Sequence, residues 1–381
     1  MSKFSIPHLD FGSELVATLF AIERMRADIG TGTTPPETYA ELHSLFDTVM
    51  SVVSARIEGN HTTVYDALDR LSAGATSATD EQIREISNIV ETVRFIDDLP
   101  LDTPLTHGLV RELHTRVVDG LTREGDPTPG AYRDREVGIT NSAHTPPPWV
   151  TVHAEMSALL DFADSARPMH EQMLQIAVAH HRLVWIHPFR NGNGRVSRLF
   201  TYAMLRRTIF ASRGHSALNP TAVFGNDREA YISALERADD LSEAGTTSWV
   251  EFFATGIRSD LSRLLDLQDH DYVVDQLVGP AVATLMRDGI ISASEEGALR
   301  AVLRRGVAKA GDLESELPGT PSQRSREIRA LLERGLLTQA SAGPRFYRLS
   351  LARGPLAPRV IRRLDVLGHL PKMLSNDAEG R

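Results

Sequence analysis

His187-Pro188-Phe189-Arg190-Asn191-Gly192-Asn193-Gly194-Arg195-Val196-Ser197-Arg198 is the stretch from which the fold can be read. Ahead of it, Met173 to Ile186 is apolar nearly all round, which suits a helix buried at a domain centre. That helix should stop near Ile186, because Pro188 disfavours the helical region for His187. Gly192 and Gly194 then permit a tight turn, and Arg195 to Arg207 reads as a second helix. A glycine-rich turn feeding a helix N-terminus aims free N–H groups and the positive dipole end into one hollow, a place for phosphate.

Two side-chain features sharpen this. Arg195 and Arg198 share a face of the first turn, where the helix dipole disfavours cations and an anion between them would offset the cost. His187, at the lip of the turn, can gain and lose a proton near pH 7. A general base beside a phosphate cradle implies phosphoryl or nucleotidyl transfer to a hydroxyl. Taken singly, a histidine in an apolar stretch is most often a core residue, and Gly-Asn-Gly is just a turn. Gly192-x-Gly194 also imitates a dinucleotide fingerprint, but position 197 is Ser and no β-branched strand precedes it.

The whole pattern is more specific. It resembles the signature of the Fic family, His-x-Phe-x-(Asp/Glu)-Gly-Asn-Gly-Arg-x-x-Arg. At about 5% per residue type, its roughly seven matched positions would recur by chance on the order of once in 10⁹ starts. Asn191 stands where the family has an acid.

The chain has 381 residues, enough for two or three domains with sizeable cores. No apolar run reaches the roughly 18 residues that span a bilayer, and Met1 to Pro7 carries no signal-peptide core. There are no cysteines, so disulfides, thiolate metal sites and a cysteine nucleophile are excluded. Leu174 fills the place of the second histidine that a zincin would need after His170-Glu171. The expectation is a cytoplasmic protein with no membrane association. The net charge of −9 is uneven. From Ala281 onward there are 17 basic and 11 acidic residues (net +6), leaving 24 against 39 (net −15). A basic tail on an acidic body points to a nucleic-acid module at the C-terminus.

In chain order, Ser13 to Asp28 reads as a helix, followed by a loop through Gly30–Pro36. A longer helix carries Leu42, Leu45, Phe46, Val49, Val53 and Ile57 at helical spacing and ends at Gly59, a natural stop. Glu58 falls in its last turn, beside the negative dipole end, where a carboxylate needs a cation. Ser54-Ala55-Arg56-Ile57-Glu58-Gly59 also resembles the family's inhibitory motif, (Ser/Thr)-x-x-x-Glu-(Gly/Asn), so Ser54, Glu58 and Gly59 are the inhibitory candidates. Helices should follow over 64–71, 80–96, 106–118, 151–166, 169–186, 228–239 and 247–264. Between them, Glu136-Val137-Gly138-Ile139-Thr140 is extended. In register with the family, Val137, Gly138, Ile139 and Thr140 look like the flap, a β-hairpin that docks the target protein as a strand. Tyr231 falls where the family has an adenine-contacting tyrosine; a core tyrosine is the alternative. The resemblance covers about Ala40 to Leu264.

Beyond it, 295–304, 309–317 and 322–333 read as three short helices. Two strands follow, 335–338 and 345–349, about a Ser341–Pro344 turn. This order resembles a winged-helix domain, with Gln323, Arg324, Arg326 and Arg329 on the candidate recognition helix and Arg345 and Arg348 on the wing. The expected fold is therefore mainly α: a helical regulatory region over 1–100, a Fic-type core with its flap over 101–265, and a winged helix-turn-helix domain over 280–365.

The resemblance implies transfer of AMP from ATP to a Ser, Thr or Tyr hydroxyl of a protein target, restrained by the N-terminal helix. His187 would be the base and Phe189 the loop's anchor. The phosphates would lie on Gly192, Asn193, Gly194, Arg195, Val196, Ser197 and Arg198. Asn191 would meet the Mg²⁺, weakly or with a preference for Mn²⁺, because it lacks the family's charge. Rival readings are a non-catalytic, nucleotide-sensing DNA-binding regulator on a degenerate Fic fold, transfer of another group, or removal of AMP. DNA as a second partner and a homodimer both stay open.

Overall fold

The computed structural model describes residues 3–72, 80–139, 142–208 and 223–377. Serine, threonine and aspartate caps start the early helices. Helix α1 (Glu14–Asp28) begins where Ser13 accepts the Val16 N–H, α4 (Glu81–Asp98) at Asp80, and α5 (His107–Val118) at Thr106. Between them run α2 (Pro36–Ile57), with proline at its first position, and α3 (Val64–Ser72). Then come α6 (Val152–Asp164), α7 (Met169–Ile186), α8 (Asn193–Thr208), α9 (Val223–Asn226), α10 (Arg228–Ala238) and α11 (Glu243–Gln268).

α7 is the central helix, as its all-round apolar sequence predicts. Leu174, Ile176, Ala177, Val178, Ala179 and Leu183 are all buried, and α7 packs on α1, α6, α8 and α11. Each fully buried aliphatic side chain contributes about 1.5–3 kcal/mol, so this bundle holds the α7–α8 turn on a rigid base. α2 packs beside α4 and α8, which brings its C-terminal end to the same turn.

The sequence reading did not anticipate helix between 269 and 287. α12 (His270–Tyr272) runs through a six-residue π-helix, Val273–Val278, into α13 (Gly279–Arg287). Pro280 explains the π register. It has no N–H to give the Gln276 carbonyl, which instead accepts two bonds from Arg363, at 3.1 and 2.7 Å. Beyond, α14 (Ala293–Arg305) and α15 (Pro321–Glu333) both carry capping boxes. Between them the expected helix over 309–317 shrinks to a 3₁₀ turn, Ala310–Leu313. β1 (Leu337–Ala340) and β2 (Gly343–Leu349) form an antiparallel hairpin, and Ala308 bridges to Tyr347. A last helix, α16 (Ala357–Val366), was not foreseen either.

The flap differs from the expected hairpin. Among the described residues of 131–148 the backbone forms no strand and bends at Asp134–Arg135, and Thr140 lies outside the described residues. Pro146, Pro147 and Pro148 have no N–H to offer a ladder. The segment is fastened by its base instead: buried Arg133 donates to the His187 carbonyl at 2.9 Å, and its own N–H reaches the Pro188 carbonyl at 2.8 Å. Among the described residues, no helix is long and apolar enough to cross a membrane.

Candidate active site

The α7–α8 turn is built around two backbone departures. His187, the C-cap of α7, takes a left-handed conformation (φ 51°, ψ 61°), unusual for a residue other than glycine. Gly192 follows at φ +75°, where a Cβ would also press on Val118 at 3.1 Å. Asn193 locks the loop between them. Its amide oxygen accepts the Phe189 N–H and its amide nitrogen donates to the Phe189 carbonyl, both at 2.9 Å. Its side chain shapes the loop from which the phosphate-facing backbone departs. Phe189 is fully buried and stacks on His114 with ring centroids 3.8 Å apart.

Sequence reasoning missed His114 and Asp126, which complete the frame. The Gly130 N–H donates to His114 Nδ1 at 2.9 Å, so Nε2 carries the proton and donates to the Asn191 carbonyl at 3.2 Å. Burial pushes the His114 ring down to about 4, keeping it neutral. Asp126 accepts the Arg190 and Asn191 N–H groups at 3.2 and 3.4 Å. Neither residue belongs to a local motif, so the sequence carries no signal for them.

Inside this frame three groups converge. His187 Nδ1 is buried, and the ring lies against the Val184 carbonyl. Burial lowers the imidazole to about 4, against the Val184 carbonyl and the Glu58 charge, which pull it up. Arg198 is buried and bound to α2 three times: Nε to Ser54 Oγ at 2.8 Å, and Nη2 to the Ser54 carbonyl at 2.9 Å and Glu58 Oε1 at 2.7 Å. Arg195, 1% exposed, lies 2.9 Å from the buried Glu85 of α4 and donates to the Glu124 carbonyl at 2.8 Å. The Arg195–Glu85 pair is close but poorly aligned: Arg195 Nε and Nη1 and Glu85 Oε1 all lack a hydrogen-bond partner. Both arginines of the turn are therefore answered by carboxylates from the N-terminal helices.

Glu58 follows α2 as its C-cap, and Gly59 turns the chain away at φ +100°. A Cβ on Gly194 would lie 2.1 Å from Glu58 Oε1. The carboxylate thus rests directly on the α8 N-terminus, in the hollow that the sequence marks for an anion. About a third of the Glu58 side chain stays exposed; its partial desolvation favours a proton, yet Arg198, with Arg195 and His187 behind it, holds its pKa below the usual carboxylate value. Beside it opens a cavity of about 270 Å³ lined by Glu58, Asn60, Glu85, Arg123 and Glu124 among others.

Residues 104–205 match the Fic/DOC family. The chain carries a Fic domain. The domain is similar to protein adenylyltransferases named Fic from Nematostella vectensis (28% identical over 158 residues, 41% of this chain and 34% of that protein) and Drosophila willistoni (31% over 194 residues, 49% and 36%). The chain thus spans about a third of the length of these two relatives. Solved Fic structures share the fold. A Fic family protein from Desulfovibrio desulfuricans superposes with a TM-score of 0.56 at 20% identity, covering 91% of this chain and 98% of that one. A Fic domain containing signaling protein from Bacteroides thetaiotaomicron gives 0.52 at 18%, covering 67% and 97%.

Tyr231 is 3% exposed, its hydroxyl 2.9 Å from His180 Nε2 and close to Arg198. Val196 and Ser197 are likewise buried, Ser197 bonding back to the Asn193 carbonyl. At the position of the Fic acid, Asn191 Oδ1 already accepts the Gly192 N–H at 2.7 Å, and its amide nitrogen donates to the Gly125 carbonyl at 3.3 Å. The nearest carboxylate, Asp126, has both oxygens occupied by N–H and O–H donors. This set does not fit Mg²⁺, which prefers free anionic oxygen.

Proposed function

We propose that the chain is a protein adenylyltransferase, transferring AMP from ATP to a Ser, Thr or Tyr hydroxyl of a protein target. The observation that carries this reading is an anion already seated at the α8 N-terminus. Glu58 Oε1 lies 2.7 Å from Arg198 Nη2 and against Gly194, with Arg195 and His187 beside it. A helix N-terminus flanked by two arginines suits triphosphate oxygens, which are acceptors of the right charge. The neutral His187 imidazole would take the hydroxyl proton as that oxygen bonds to the α-phosphorus. The bond from the α-phosphorus to the bridging oxygen then breaks, releasing pyrophosphate, whose charge Arg195 and Arg198 would neutralise.

In this reading 1–100 is a regulatory region, 101–265 the Fic core and 280–365 a winged-helix domain. Glu58, anchored with Ser54 on Arg198, takes the place of the terminal phosphate and holds the enzyme off. The segment at Val137–Ile139 is where a target strand would lie. Asn191 favours a second reading, a nucleotide-sensing regulator that binds ATP without turnover. Incubation with ATP followed by intact-mass measurement separates the two. One added AMP on the chain or on a substrate protein supports transfer, whereas ATP binding without any adduct, in the Glu58→Gly variant as well, refutes it.

A further inference from the structure

The hairpin of the basic C-terminal region is not free: it grips the first turns of α2. Arg348 lies 2.7 Å from Glu37 Oε2 and 3.1 Å from Glu41 Oε1. The Ser341 N–H donates to Glu37 Oε1 at 2.9 Å, and the Ser341 hydroxyl donates to the same oxygen. The N–H groups of Leu351 and Ala352 donate to Glu41 Oε2 at 2.9 and 3.3 Å. Burial pushes the Glu37 carboxyl up, but the bonds from Ser341 and Arg348 prevail and hold it below its usual value. Arg348 Nε remains buried with no partner, so the guanidinium has a donor that the two carboxylates do not use.

A guanidinium, a hydroxyl and backbone N–H groups are the donors that proteins present to nucleic-acid phosphates. Here they close on two carboxylates one helical turn apart. Arg345, Arg326 and Arg329 lie exposed on the same hairpin and on α15. We propose that the Ser341–Arg348 donor cluster is a binding site for the phosphate backbone of duplex DNA, which α2 occupies through Glu37 and Glu41, so that DNA and docked α2 compete. α2 is also tied to the C-terminal region at its far end, where Arg56 donates to the Met373 carbonyl at 2.7 Å. Because the same helix leads into Glu58, displacement of its first turns loosens the carboxylate on Arg198. This last step rests on the reading of Glu58 as a brake.

The test uses the full chain and a fluorescently labelled, random-sequence duplex, read by anisotropy at low salt. Glu37→Gln/Glu41→Gln should tighten binding by roughly 5–150-fold, the usual span of a coupling between two sites. Arg348→Ala on that background should remove the gain and flatten the salt dependence. Glu91→Gln/Glu251→Gln, the same charge change at two exposed positions, should gain far less. Should the buried Glu41 variant fold poorly, the half-buried Glu37→Gln alone must still gain over Glu91→Gln. A Glu37/Glu41 variant that binds DNA no better than the control pair overturns the proposal. So does one that captures poly-glutamate but not DNA, which would make an acidic protein the partner. For the link to the Fic site, DNA should raise labelling from ATP in the wild type and not in Glu58→Gly. If DNA binds competitively and wild-type labelling stays constant, the coupling is refuted. Transfer itself is then judged by the Glu58→Gly rate alone.

Discussion

Arg198 Nη2 meets Glu58 Oε1 at 2.7 Å, joining two residues whose local positions are each unfavourable alone. Glu58 caps the negative end of α2, and Arg198 is a cation buried in the second turn of α8. Together they cancel both penalties, and the sequence predicts the pair on that ground. Under the proposed function the cost falls on transfer, because the carboxylate covers the helix end that the phosphates of ATP would take.

Arg195 and Glu85 form a second, deeper lock. Removing one partner of a buried ion pair costs about 3–5 kcal/mol, because the other charge is left uncompensated. Glu85→Ala should therefore lower the melting temperature markedly. A non-hydrolysable ATP analogue should then raise it more than in the wild type, since its phosphates replace the missing carboxylate. Equal ATP-induced shifts in thermal melts of the two proteins would show that Arg195 does not receive phosphate.

Acid dependence should report the buried state of His187. Its pKa is lowered to about 4 by burial, and in the proposed mechanism the neutral ring is the base. Labelling by Glu58→Gly should therefore be level from about pH 8 to 6 and fall only as pH approaches 4. For stability the sign is the same: the depressed folded pKa contributes fully above the unfolded value, near 6.5, and that contribution is lost as pH falls toward 4. A rate profile with its midpoint near 6.5 would place His187 in solvent.

Arg324 separates structure from surface in α15. It is 4% exposed and bonded to Glu314 at 2.9 Å and to the Leu317 carbonyl at 3.1 Å, so the expected DNA contact at this position is corrected to an internal clamp. Its helical neighbours Gln323, Arg326 and Arg329 are exposed. Arg324→Ala should destabilise the C-terminal region, visible as early proteolysis. Arg326→Ala/Arg329→Ala should leave proteolysis unchanged and weaken duplex binding at every sequence tested.

Asn191→Asp restores the acid of the Fic pattern and should give labelling a steeper response to Mg²⁺ at low concentration. Superimposable Mg²⁺ titrations for both forms would mean that position 191 does not meet the metal.

Much of this was legible in the sequence because it rests on short-range rules. Pro188 sets the end of α7 and Gly192 the turn, and the capping residues Ser13, Asp80 and Thr106 mark the helices they start. What escaped depends on contacts distant in sequence. Glu85 and Asp126 look like ordinary surface acids until the fold buries them against Arg195 and the loop backbone. Arg324 carries the same charge pattern as its exposed neighbours, and only packing decides that it turns inward. The π-helix follows from Pro280, but recognising it needs Arg363 to take the freed carbonyl.

Labelling from ATP tests most directly the proposal that Glu58 holds off a transferase from within the same chain. A hydrogen bond to a charged group is worth about 1.5–3 kcal/mol. Glu58→Gly should accordingly label itself roughly 10–100-fold faster than the wild type. Glu58→Gly/Arg198→Ala should be inactive, as should Glu58→Gly/His187→Ala, where a general base worth about 10²–10⁴-fold is missing. A Glu58→Gly protein that labels no faster than the wild type, while His187→Ala abolishes labelling, would contradict the account.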